Sequence, residues 1–127
     1  QDHGVKAGSE YAILRNEITK AWSGMTTRQY KNLKGLTKES LRDNMSTTEI
    51  VLNMLAETAT KEIINVKHPD GLEENIEIAN EGGSVAKAAR EAIESKTGKK
   101  VITSKKALDL GRVITAITEK NDDDNEK

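Results

Sequence analysis

The chain has 127 residues, enough for one domain, but only 35% are hydrophobic, with no Phe, one Trp and two Tyr, so Leu, Ile, Val and Ala must fill the interior. The absence of cysteine excludes disulfides and zinc–thiolate sites, and no apolar run approaches the roughly 18–20 residues needed to span a membrane. The net charge of −1 conceals segregation: residues 15–42 hold seven Lys/Arg against two acids, 43–81 two against nine, 87–112 eight against three, and 119–127 two against five.

Residues 1–8 read as the end of a linker, and a chain starting at Gln1 reads as the C-terminal part of a longer protein. Ser9 is placed to cap a first helix carrying Tyr11, Leu14, Ile18, Ala21 and Trp22 at helical spacing, with Gly24 as its stop. A short helix is predicted over about Thr27 to Lys34, ended by Gly35, and another turn or two between Leu36 and Asp43. Ser46-Thr-Thr-Glu49 is a capping box: the serine serves the amide three residues on and the glutamate reaches back. The helix it opens carries Ile50, Val51, Met54, Leu55, Ala59, Ile63 and Ile64 on a broad apolar face that places it centrally, and it ends at His68-Pro69, because the residue before proline is pushed out of helical geometry.

A long helix follows from about Leu72 to Thr97, with Leu72, Ile76, Ala79, Gly83, Ala86, Ala89 and Ile93 on one stripe, although Gly82-Gly83 equally permits a break. Gly98 is a stop, and Val101-Ile102-Thr103 is too short to be more than an extended connector or edge strand. A last helix is predicted from Lys105 to about Thr118, and residues 119–127 read as an acidic tail, disordered in isolation. The whole is all-α: about five helices, one of them long, in a domain over residues 9–118.

Few residues point to chemistry. Arg28, Lys31, Lys34, Lys38 and Arg42 recur every three or four positions, and Lys96, Lys99, Lys100, Lys105 and Lys106 cluster around Gly98. Either group could neutralise phosphates; the first could equally be a solvated face or pair with the acidic block, and the second a charged helix end with cations near its C-terminus. Gly-Lys-Lys lacks the upstream glycine and following Ser/Thr of a phosphate-binding loop. Glu73, Glu74, Glu77 and Glu81 suit a helix N-terminus better than a metal, and His68 at a helix end suits a cap or a surface. No nucleophile–base arrangement stands out, so no enzyme, cofactor, metal or small-molecule substrate is expected. The small residues Ala79, Gly82, Gly83, Ala86 and Ala89, with Ile93, let a helix approach closely and, together with the central helix at 50–64, suggest self-association into a homo-oligomer.

At Glu10-Tyr-Ala-Ile13, Asn16, Lys34-Gly-Leu36, Leu41-Arg-Asp-Asn-Met45, Ser46-Thr-Thr-Glu-Ile50, Glu81-Gly-Gly83 and Lys96-Thr-Gly-Lys-Lys-Val101 the chain resembles the C-terminal region of the DNA-damage-inducible protein D and prophage antirepressor-like family. The patches cover residues 8–110 in order. Glu17 to Trp22 replaces a more glycine- and tyrosine-rich motif of that family. The resemblance implies a DNA-damage-response or prophage regulatory protein whose Bro-type domain lies elsewhere, and it supplies no catalytic residues. The leading expectation is a cytoplasmic, non-enzymatic module for oligomerisation or partner docking. The alternative is direct nucleic-acid binding by segments 28–42 and 96–106, and a metal-dependent enzyme subunit is the third.

Overall fold

The computed structural model of the chain describes residues 8–104, and no strand occurs among them. Helix α1 spans Gly8–Ser23 and stops at Gly24, so Ser9 lies inside its first turn and does not cap it. Helix α2, Thr27–Leu33, opens on a capping box of Thr26 and Gln29. Asn16 Oδ1 accepts the Thr27 N–H at 2.8 Å and ties the start of α2 to the middle of α1. The turn or two expected between Leu36 and Asp43 is a single 3-10 turn, shifted to Arg42–Asn44. Buried Leu36, Leu41 and Met45 fasten that loop to the core.

Helix α3, Thr47–Lys67, begins with the Ser46–Glu49 capping box read from the sequence. It ends at His68, whose φ of 50° is left-handed, with Pro69 barring further helix. Helix α4, Gly71–Thr97, runs 27 residues without interruption and stops at Gly98. At about 1.5 Å per residue it is about 40 Å long. Residues 101–103 form bends rather than a strand, and Val101 and Ile102 pack against the core. The helix expected over 105–118 and the acidic tail lie outside the described residues.

Helix α4 is the spine. It packs along both α1 and α3, which touch each other far less. Asn80 meets Glu17 and Arg90 meets Trp22, so α1 runs parallel to α4, while α3 returns antiparallel through the tight turn at His68–Asp70. The seam is the small-residue stripe. A Cβ at Gly82 would lie 2.7 Å from the Thr60 backbone, and one at Gly83 would meet the Ala21 methyl on α1. Each glycine costs roughly 1 kcal/mol of helix propensity relative to alanine. The close approach they permit, one toward each neighbouring helix, explains why α4 stays whole.

That packing corrects two expectations. Ala79, Gly82, Gly83 and Ala86 are buried inside the chain, with Ala89 and Ile93 half-buried beside them, so this stripe joins the chain's own helices. On α3 the buried line is Glu49, Leu52, Ala56 and Thr60, whereas Val51 and Met54 face outward. A neighbour as close as α4 fits the small side chains, and the larger ones are displaced to the flanks.

Candidate functional site

One end of the bundle is held by a buried polar network. Tyr30 and Lys34, one turn apart on α2 and its cap, both point inward to Glu49 at the start of α3. Lys34 Nζ donates to Glu49 Oε1 at 3.0 Å, and both side chains are 0% exposed. The Tyr30 hydroxyl donates to the other carboxylate oxygen. Burial and that carboxylate push the phenol far above its ordinary pKa, so it stays protonated and remains a donor. Glu49 also accepts the Ser46 N–H at 2.8 Å, so the capping glutamate is the hub of the network.

Around this hub, Trp22 is fully buried, stacks edge-on against Tyr30 with centroids 6.1 Å apart, and donates from Nε1 to Asn53 at 3.0 Å. Arg90 on α4 donates from Nε to the Trp22 carbonyl, one of the acceptors that the end of α1 leaves unpaired. Its Nη1 holds Glu94 at 2.9 Å. Glu94 in turn accepts the Val101 N–H at 3.0 Å. Desolvation pushes the Glu94 carboxyl up, but the Val101 amide and Arg90 together outweigh it and hold it below the usual carboxylate range.

Lys34 makes a further bond that sets the surface above it. Its Nζ donates to the Thr103 carbonyl at 2.9 Å, joining residues 69 positions apart. Lys99 and Lys100 lie within four residues of that bond, and Lys31 and Lys38 within four on the other side. The two basic clusters of the sequence therefore share one end of the molecule. Arg28, Lys38, Lys99 and Lys100 are exposed there and Lys31 is half-buried. Among the described residues none of these five is in an ion pair. Arg28 and Lys31 line an open groove of about 620 Å³ with Asn16, Thr27, Asn32 and Thr37.

Two predicted members leave this set. Lys34 is enclosed and committed to Glu49, so it cannot meet a phosphate. Arg42 is exposed but pairs with Glu57 at 3.5 Å. Lys105 and Lys106 lie outside the described residues. Exposed Glu39 sits among the cations, but its carboxylate turns back onto the Thr37 and Lys38 amides, which lower its pKa to about 2.

The opposite end is acidic. Glu62, Asp70, Glu73, Glu74, Glu77 and Glu81 gather where α3 turns into α4, and they are exposed. Glu81 pairs with Lys67 at 2.8 Å, and Glu74 accepts the Asp70 N–H. No group of three or more His, Cys, Asp or Glu among the described residues is placed to hold a metal. His68 is exposed, and its N–H donates to the Ile64 carbonyl at the end of α3. No described helix is long and apolar enough to cross a membrane. A second, mainly apolar groove of about 420 Å³ opens between α1, α3 and α4, lined by Tyr11, Leu14, Ile18 and Ile64.

Sequence reasoning missed Glu49 as a hub, and it gave no site role to Asn53, Arg90, Glu94 or Thr103. A signal for the first was present: Lys34 and Glu49 both fall in patches that carried the family resemblance. A family model described as the DinD C-terminal domain matches residues 1–107. No curated protein and no solved structure matches the chain.

Proposed function

The chain belongs to the DinD C-terminal domain family, and from that premise we propose that it is a non-enzymatic regulatory module of a DNA-damage-related protein, engaging nucleic acid through its basic end. The observation that carries this reading is the Lys34–Thr103 bond. It joins two cation clusters that are distant in sequence, and among the described residues Arg28, Lys31, Lys38, Lys99 and Lys100 have no ion partner. Of the acids in residues 43–81, Glu49 and Glu57 are taken by Lys34 and Arg42, and Glu62, Asp70, Glu73, Glu74, Glu77 and Glu81 gather where α3 turns into α4, at the far end of a helix about 40 Å long. A polyanion approaching this charge distribution is drawn to one end and repelled from the other.

Only Tyr30 among the aromatics accompanies the cations in sequence, and it is buried, so base stacking contributes little and phosphate contact dominates. Binding should accordingly depend steeply on salt. With four or five phosphates neutralised, affinity for labelled DNA should fall roughly 100- to 500-fold between about 50 and 200 mM salt. Arg28→Glu combined with Lys99→Glu and Lys100→Glu should abolish binding in fluorescence anisotropy. Lys61→Glu, exposed on α3 toward the acidic end and away from the basic end, should leave it unchanged. An absence of binding at 50 mM salt, or equal loss in the Lys61 variant, would defeat the reading.

Protein docking is the second reading, and the apolar groove between α1, α3 and α4 favours it. At about 420 Å³ it is large enough to take several apolar side chains of a partner. It would become the leading reading if DNA failed to bind. Self-association remains a proposal, without the small-residue stripe as its surface.

A further inference from the structure

Lys99 and Lys100 reach the basic end on a short arm, residues 98–103, that is tied down at two points. Gly98, left-handed at φ 73°, ends α4 and turns the chain off the helix, and the Thr97 hydroxyl accepts the Lys99 N–H at 3.2 Å. The Val101 N–H then donates to Glu94 Oε2 at 3.0 Å, seven positions back on α4, and the Thr103 carbonyl accepts from Lys34 at 2.9 Å. Val101 and Ile102 pack against the core. The two lysines are the residues between the helix stop and the first tie.

Glu94 is an acid close in sequence to these cations, yet among the described residues neither Lys99 nor Lys100 pairs with it. Its two oxygens are taken elsewhere, Oε1 by Arg90 at 2.9 Å and Oε2 by Val101. Arg90 is in turn fixed by its Nε bond to the Trp22 carbonyl at 2.9 Å. A line of bonds therefore runs from the end of α1 through Arg90 and Glu94 to the arm. The Arg90 and Glu94 side chains are only 14% and 17% exposed, so salt screens this pair less than it screens a surface pair. A glutamate used in this way fixes the backbone that carries the lysines without neutralising their side chains.

We propose that Glu94 is a positioning residue, holding the arm so that Lys99 and Lys100 face the same polyanion as Arg28 and Lys31. The dependence of affinity on Glu94 rests on the nucleic-acid reading above; the clamp on the arm does not.

Charge and positioning predict opposite signs. Removing an acid from a basic end strengthens polyanion binding if charge alone matters, and weakens it if the acid places two of the cations. Glu94→Ala should weaken binding of labelled DNA at about 50 mM salt by at least about tenfold. The fall in affinity between about 50 and 200 mM salt should shrink to roughly 10- to 40-fold, as two phosphate contacts are lost. Glu91→Ala removes the same charge one turn earlier, from an exposed residue, and should leave affinity unchanged or raise it by up to about threefold. In a background of Lys99→Ala and Lys100→Ala, Glu94→Ala should change affinity by less than about twofold, because its effect passes through those lysines. Glu94→Gln keeps the size and the fold but can accept only one of the two donors, and should bind roughly two- to fivefold more weakly than the parent. Without DNA, exchange of the Val101 amide should quicken at least about tenfold in Glu94→Ala while amides in the middle of α4 stay protected. Tighter binding by the Glu94 variants, an equal loss in the double-lysine background, or unchanged exchange at Val101 would overturn the proposal. If no chain binds DNA while Val101 exchange quickens as expected, the nucleic-acid reading falls and the clamp stands.

Discussion

Replacing Gly82 with alanine will destabilise the domain by about 3 kcal/mol, although alanine is the better helix former by roughly 1 kcal/mol. The added methyl would sit 2.7 Å from both N and Cα of Thr60, and closer still to its hydroxyl. Backbone atoms cannot rotate away as a side-chain tip can, and the Thr60 hydroxyl is itself held by the Ala56 carbonyl at 2.7 Å. The variant must separate α3 from α4 along the line of Leu52, Ala56 and Thr60, or tilt one against the other. Either motion opens the core over several turns. Thermal unfolding followed by circular dichroism should show the transition lowered by more than about 10 °C. Ser84→Ala, two positions on and exposed, should leave it within about 2 °C. A Gly82→Ala protein as stable as the parent would mean that α3 and α4 do not approach this closely. Gly83→Ala should destabilise as well, because its methyl would press on the Ala21 Cβ, which cannot rotate away, and would crowd the Ile18 carbonyl at 3.2 Å.

Lys34→Met will lower stability by about 3–5 kcal/mol, the range seen when one partner of a buried ion pair is removed. The loss follows from what stays behind. Glu49 would keep its bonds to Tyr30 and the Ser46 amide, but its charge would have no counter-ion at a site with 0% side-chain exposure. The Thr103 carbonyl would also lose its donor, loosening the return of residues 101–103 to the core. Adding Glu49→Gln to Lys34→Met removes the orphaned charge. The double variant should therefore be less destabilised than the sum of the two single variants, by at least about 1 kcal/mol in urea titrations. A Lys34→Met protein that lost less than about 1 kcal/mol would return Lys34 to the solvent-facing basic stripe.

Those two sites mark where sequence reading reached and where it stopped. Helix ends were legible because their causes are local: Ser46 and Glu49 three apart, Pro69 after His68, and Gly24, Gly35 and Gly98 past the last turns. The long α4 was legible from its stripe, but the use of that stripe was not. Periodicity shows that Gly82 and Gly83 share a helix; it does not show that one faces Thr60 and the other Ala21, on different neighbours. The basic segment shows the same limit. Lys31, Lys34 and Lys38 are chemically alike and regularly spaced, yet only Lys34 meets a carboxylate in the interior. Nothing within α2 distinguishes it, because the distinguishing partner lies 15 residues on, in a helix cap. The meeting of the two cation clusters was equally hidden, since it depends on a bond across 69 positions.

The parallel pairing of α1 with α4 also shapes how the chain reaches this fold. Helices α3 and α4 are adjacent in sequence and joined by three residues, so they can meet as a hairpin with little loop-closure cost. Helix α1 must wait for a partner some 60 residues away and dock onto a surface that exists only once α4 has formed. The hairpin is then expected to form the nucleus, with α1 docking last. Ile18→Val, which trims the α1 side of the seam, should quicken unfolding and leave the refolding rate nearly unchanged. Slowed refolding in stopped-flow traces would instead put α1 in the nucleus. In that order of events, the end of α1 that anchors Trp22 against Arg90 and Asn53 closes last, so the basic end is completed in the final step of folding.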